Sequence, residues 1–174
     1  MTDEIAKAIY NLLLPISIYQ PKPITRTGVA ADLATQHYED LFTVVGGDIE
    51  LLAIYGKVIA AKAATGQFLQ LQHTPTGGAL AALCGVSPTT TGDVIDSIYT
   101  ITGVPGDLMI VAQVGPALGI GQLQINLLGT IRSTLVLVPG IIGLDVTVAN
   151  DITGLINWTV LYRPLSINSA VTVL

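Results

Sequence analysis

The segment Ile156-Asn-Trp-Thr-Val-Leu-Tyr-Arg163 decides the fold class, because its side chains alternate in character with a period of two. In an extended chain, successive side chains point to opposite faces, so every second residue shares a face. The apolar face of this segment consists of Ile156, Trp158, Val160 and Tyr162. The alternation predicts a β-strand with one buried face.

Similar segments recur along the chain and predict a mainly β protein. The other predicted strands are Leu41–Val45, Asp48–Ala61, Gln67–His73, residues 94–102, residues 108–114, Gln122–Leu127 and Leu144–Val148. Asp48–Ala61 is apolar on both faces, which is typical of a central strand or of one covered by a partner. About eight short strands separated by Gly- and Pro-rich turns predict an antiparallel β-sandwich or jelly roll.

The N-terminal region predicts a different organisation. Thr2 is a good N-cap, an apolar stripe follows, and Pro15 ends the predicted helix. Residues 15–40 contain three prolines and predict an extended arm. A short internal helix is expected from Thr76, a possible cap, to Gly85. We therefore expect a helix and arm over residues 1–40, and a β-sandwich body over residues 41–174.

The chain is apolar and poor in charge. Hydrophobic residues make up 51% of its 174 residues and charged residues only 11%, against about 25% in ordinary soluble domains. Uncharged polar side chains and other subunits must then cover its surface, since exposed apolar patches usually mark contacts. The net charge of −5 and the scattered basic residues argue against nucleic-acid binding, which needs clustered Lys and Arg.

The apolar runs are short, and Gly, Pro, Gln or Asp interrupts each of them. None reaches the roughly 18 residues that a membrane span requires. The acidic start differs from a secretory signal, and the single cysteine permits no intrachain disulfide. We expect folding in the cytoplasm and no membrane partner.

Residues that could carry chemistry are few. Neither His37 nor His73 has a second ligand at zinc-binding spacing. Cys84 lies in an Ala/Leu run, where a free cysteine behaves as a small buried hydrophobe. Asp93 and Asp96 would point to opposite faces of a strand, so they do not form a catalytic carboxylate pair. We expect no catalytic, cofactor-binding or metal-binding residue and no enzymatic activity.

Several segments carry a resemblance to a known family. They are Leu41–Gly47, Ile49–Ile59, Gln67–Pro75, the Thr76–Cys84 segment, and the closing strand Ile156–Leu165. Together they resemble the head-decoration, or cement, proteins of tailed bacteriophages, which have a β-sandwich or jelly-roll body. The resemblance implies a non-catalytic homotrimer or ring on the capsid exterior, with itself and the major capsid protein as partners.

Two sets of residues are candidate contacts with neighbouring subunits or the capsid. They are the apolar helix residues Ile5, Ile9 and Leu12, and the closing-strand residues Trp158, Tyr162 and Arg163, whose types are enriched in binding hot spots. The alternative for Trp158 and Tyr162 is that they fill the core of the sandwich. An alternative function is a carbohydrate- or receptor-binding jelly-roll module of a phage fibre or spike. Sugar sites favour exposed aromatic and clustered polar side chains.

Overall fold

The computed structural model describes residues 20–29, 37–61, 67–88, 90, 92–112, 135–147 and 154–174. In this part of the chain it contains eleven β-strands and no helix. The strands are β1 (Lys22–Val29), β2 (His37–Val45), β3 (Ile49–Ala60), β4 (Phe68–Pro75), β5 (Ala81–Ala82), β6 (Ile98–Thr100), β7 (Ile110–Ala112), β8 (Leu135–Leu137), β9 (Gly140–Thr147), β10 (Leu155–Pro164) and β11 (Ala170–Val173).

The strands form two antiparallel sheets, which confirms the mainly β prediction. The first sheet has six strands, ordered β1-β10-β3-β6-β7, with β8 also paired to β3. The second sheet has five strands, ordered β11-β2-β9-β4-β5. At most connections the chain crosses from one sheet to the other, for example between β2 and β3 and between β8 and β9.

The strand pairs are nested like the two halves of one long hairpin. Strand β4 pairs with β5, β3 with β6 and β8, β2 with β9, and β1 with β10. The long hairpin formed by these pairs is wound around itself. As a result, β10 also pairs with β3, and β9 also pairs with β4. Winding gives each sheet one face that meets the other sheet and one that faces outward.

One hydrophobic core lies between the sheets. Its cluster of buried residues includes Ile54 and Trp158 from the first sheet, and Phe42 and Leu144 from the second. In β10 the four residues of the predicted apolar face are all buried: Ile156, Trp158, Val160 and Tyr162. The alternation in the sequence therefore predicts the inner face of this strand correctly.

Polar and backbone contacts close the flanks between the two sheets. On one flank, Arg26 of β1 donates to the Glu39 carboxylate at 2.6 Å and to the Asp40 backbone carbonyl, both on β2. On the other flank, the Met109 amide donates to the Gly85 carbonyl at 3.2 Å. Arg26 thus satisfies a backbone carbonyl at an exposed strand edge. A charged side chain at such an edge also disfavours pairing with strands of other molecules.

The helix predicted over Thr76–Gly85 is wrong. Ala81–Ala82 instead forms β5, paired antiparallel with Gln72–His73. That prediction depended on one pair of leucines at helical spacing, Leu80 and Leu83. Leu83 is buried, but Leu80 is 51% exposed. A helix this short is unstable in water, whereas pairing with the edge of β4 satisfies backbone groups that the edge leaves open.

Part of the segment that the sequence predicts as an extended arm lies in the two sheets. Lys22–Val29 is extended, as expected, but it is a strand of the first sheet, paired with β10. Strand β2 begins at His37, before the predicted body starts. Pro23 is tolerated because β1 is an edge strand. Residues 22–29 and 37–40 therefore belong to the sheets.

Two further predictions lie outside the described residues. They are the N-terminal helix with its candidate contacts Ile5, Ile9 and Leu12, and the strand Gln122–Leu127.

A stacked aromatic pair fixes the packing of the first sheet. Trp158 on β10 and Tyr99 on β6 are both paired with Gly56 of the intervening β3. Their rings stack with centroids 6.3 Å apart and an interplanar angle of 26°. The rings meet over Gly56 because it has no side chain. A Cβ there would lie 3.0 Å from two Trp158 ring carbons and 2.9 Å from a methyl of Ile156.

Replacing Gly56 with alanine is expected to lower the free energy of unfolding by about 1–3 kcal/mol, because the new methyl displaces the Trp158 ring and the Ile156 methyl from their packed positions. Urea denaturation followed by fluorescence of the single tryptophan measures the change. Gly106→Ala is the matched control, since a Cβ there meets nothing within 4 Å. Equal stability losses in the two variants would contradict this interpretation.

Candidate functional site

Four turns meet at one end of the two sheets, which we call the turn end. They are residues 46–48, 76–80, 138–139 and 165–169, which connect β2 to β3, β4 to β5, β8 to β9, and β10 to β11. The strand register brings them together, since Val45 pairs with Ala170 and Pro75 with Gly140. The first, third and fourth of these turns join the two sheets, whereas the second connects neighbouring strands of one sheet.

Glycines let two of these turns pack closely. Gly46 and Gly47 adopt φ angles of +72° and +148°, which favour glycine. A Cβ on Gly46 would collide with the backbone carbonyl of Asn168, and one on Gly47 with the Ser166 hydroxyl. The Leu165 amide also donates to the Asp48 carbonyl at 3.1 Å. The turn after β10 is thereby held against the turn after β2.

Hydrogen bonds hold the other two turns together. The Thr76 amide donates to the Pro139 carbonyl at 2.9 Å. The Nε2 atom of His73 lies 3.1 Å from the Val138 carbonyl oxygen. Because that oxygen can only accept, the contact requires the proton on Nε2.

The turn end exposes five aliphatic side chains, one or two from each turn or its flanking strand residue. They are Val45, Leu80, Val138, Leu165 and Ile167, with Ile167 72% and Leu80 51% exposed. Full burial of one such side chain is worth about 1.5–3 kcal/mol. Exposed apolar side chains gathered at one end of a molecule are typical of a contact surface.

The apolar surface continues from the turn end onto the outer face of the first sheet. Val136 of β8 is 53% exposed and pairs with Glu50 of β3. Further along this face, Leu161 pairs with Ala53, and both are half-buried. The prediction that β3 is apolar on both faces holds only in part, because the charged residues Glu50 and Lys57 stand on its outer face among the half-buried Leu52 and Ala53.

The structure places the three described candidate contact residues in two environments. Trp158 is completely buried and Tyr162 is 5% exposed, so these two side chains fill the core and are not available as surface contacts. Arg163 is exposed and forms an ion pair with Glu50 at 2.7 Å, beside the turn end. The turn-end residues were missed because local periodicity does not show which turns of the chain meet at one end of the sheets.

The outer face of the second sheet carries mainly polar side chains, with the exposed Phe68 of β4 on the same face. Tyr38, Asp145 and Gln70 form one row across β2, β9 and β4. The amide of Gln72 donates to Gln70 Oε1 at 3.0 Å and approaches Asp145 Oδ2 at 3.4 Å. The phenol of Tyr38 hydrogen-bonds to the Thr74 side chain, and burial raises the pKa of Tyr38 despite that bond. This face thus differs in character from the turn end.

Groups that could react or bind metal are kept apart. Cys84 is buried, as predicted, and burial raises the pKa of its thiol. Asp93 is buried and accepts a hydrogen bond from the Tyr99 hydroxyl, whereas Asp96 is exposed and pairs with Lys57 at 2.7 Å. Within the described ranges, no three His, Cys, Asp or Glu side chains are grouped so that they could hold a metal ion.

Comparison of the chain with protein families, with curated proteins and with solved structures finds no match. Among the described residues, no helix is long and apolar enough to span a bilayer.

Burial lowers the pKa of the His73 imidazole, which makes folding stability depend on pH. As the pH falls through the usual histidine range, the unfolded chain takes up the proton before the folded one, so acidification destabilises the fold. Between about pH 7.5 and about pH 5.5, we expect wild type to lose more free energy of unfolding than His73→Gln. Urea titrations at both pH values test this, and identical losses would contradict it.

Proposed function

We propose that this chain is a virion structural protein that decorates and stabilises the capsid of a tailed phage. The observation that carries the proposal is the turn end, with its five exposed aliphatic side chains in a chain of which only 11% is charged. Burying this cluster against other subunits releases water from apolar surface, which is the main driving force of protein association.

The strand connectivity supports the proposal. Nested antiparallel pairs wound into two sheets are the arrangement of a jelly roll, so we assign that fold to the body. Jelly rolls are common in viral capsid and lectin domains. The proposed role needs no reactive group. A protein that binds only the assembled shell stabilises it by mass action.

The proposed partners are other copies of the chain, as a homotrimer, and the major capsid protein. Closed symmetric assemblies are the usual form of such subunits. The turn end supplies apolar contact area, and Arg163 with Glu50 supplies a polar rim beside it, as in typical interfaces. The protein would be made in the host cytoplasm and lie on the capsid exterior, without a nucleic-acid or membrane partner and without catalysis.

Replacing Ile167 with aspartate is expected to weaken assembly about tenfold or more, because the contact loses apolar area and gains an unpaired charge. Light scattering after size exclusion measures the oligomer, and co-sedimentation with expanded shells of the source particle measures attachment. Both are expected to survive high salt in wild type, since few charges are available for screening.

Leu108→Asp is the matched control, because Leu108 is 62% exposed but lies in the loop between β6 and β7, on a flank of the sheets. It is expected to assemble like wild type. A wild-type monomer that does not sediment with shells would refute the proposed function, as would an Ile167→Asp protein that assembles and attaches normally.

A further inference from the structure

Tyr38 lies across the outer face of the second sheet. It stands on β2, yet its ring passes over Gly143 of β9, where a Cβ would collide with the ring carbons. Its phenol reaches the side chain of Thr74 on β4. The side chain of Tyr38 thus reaches from β2 across β9 towards β4, and its residue is 36% exposed.

Fixed polar groups surround this ring. Asp145 lies opposite Tyr38 in the strand register, and Gln70 lies opposite Asp145. The Gln70 amide donates to the Cys84 carbonyl at 2.9 Å and its oxygen accepts from Gln72 at 3.0 Å. These bonds hold the amide in place before any ligand arrives, which reduces the entropy lost on binding.

The surface formed by the ring over Gly143 and by Asp145 and Gln70 in the neighbouring row covers three strands. It is therefore about 10 Å wide, comparable with a disaccharide. The face of an aromatic ring carries excess negative charge, so the weakly positive C–H groups of a pyranose pack well on it. A carboxylate and an amide beside the ring offer acceptors and donors to the sugar hydroxyls.

The charge of this face selects among ligands. Asp145 faces it, and Asp40 on β2 stands next to Tyr38, close enough for both carboxylates to raise its pKa. No lysine or arginine lies in the row from Tyr38 to Gln70. Arg26 donates to the backbone carbonyl of Asp40, but its charge is paired with the Glu39 carboxylate at 2.6 Å. Two carboxylates repel phosphate, sulfate and acidic sugars, whereas they accept hydrogen bonds from neutral hydroxyls.

We infer that the outer face of the second sheet binds a neutral saccharide chain, with Tyr38 as the stacking platform and Asp145, Gln70 and Gln72 as hydrogen-bonding groups. This binding site is separate from the turn end and does not depend on the proposed capsid role. A protein attached through the turn end would leave this face open to a polysaccharide in the surroundings.

The test uses the full chain and a panel of neutral hexasaccharides built from glucose, galactose, mannose or N-acetylglucosamine. Saturation-transfer NMR detects binding, and calorimetric titration measures the dissociation constant. At least one member is expected to bind, and Tyr38→Ala and the nearly isosteric Asp145→Asn are each expected to weaken it about tenfold or more.

Tyr55→Ala is the matched control, because Tyr55 is a half-buried tyrosine on β3, in the other sheet, and its loss is expected to leave the affinity unchanged. Near-ultraviolet circular dichroism establishes that each variant is folded. The inference is overturned if no hexasaccharide binds at millimolar concentration, or if folded Asp145→Asn binds as tightly as wild type. Shell co-sedimentation of Tyr38→Ala is expected to be normal, so failure here is distinguishable from failure of the proposed function.

Discussion

The short connections that join the two sheets at the turn end constrain the rest of the structure. The chain passes from β2 to β3 through residues 46–48 and from β8 to β9 through residues 138–139. Sheets that pack face to face lie about 10 Å apart, so these turns have no spare length to fold over the apolar residues beside them. Gly46 and Gly47 provide the tight backbone, and the aliphatic side chains at the turns remain exposed.

This constraint makes the surface of the molecule asymmetric. The turn end and the adjoining outer face of the first sheet present aliphatic side chains such as Ile167 and Val136. The outer face of the second sheet presents fixed polar groups around Tyr38. In an assembly, neighbouring subunits can cover the apolar surface of such a chain, while solvent or a ligand hydrogen-bonds to the polar surface.

The sequence predicts the core strands well, because their side chains alternate. Strand β10 is the clearest case, since its apolar face reaches the core at every predicted position from Ile156 to Tyr162. The alternation does not say which apolar residues stay inside, so Trp158 and Tyr162 were also candidate contacts until burial excluded that role. Strand β1 was interpreted as an arm because its prolines indicate an extended backbone. They do not show that this backbone pairs with another strand. The short strand β5 was interpreted as a helix because two leucines fit that spacing.

The candidate surfaces could not be predicted from the sequence, for a related reason. Val45, Val138 and Ile167 are distant in the chain, and only the register of β2, β9 and β11 brings their turns to one end. Tyr38 gains its role from Gly143, more than a hundred positions away, whose missing side chain leaves room for the ring above β9. Both features are produced by long-range pairing, which local periodicity cannot specify.

Hydrogen–deuterium exchange of the free protein and of the protein bound to expanded shells tests the central claim most directly. If subunits cover the turn end, peptides containing residues 46–48 and 165–169 become strongly protected on binding, while peptides from the outer face of the second sheet around residue 145 exchange as before. Unchanged exchange at the turn end in shell-bound protein would contradict the account.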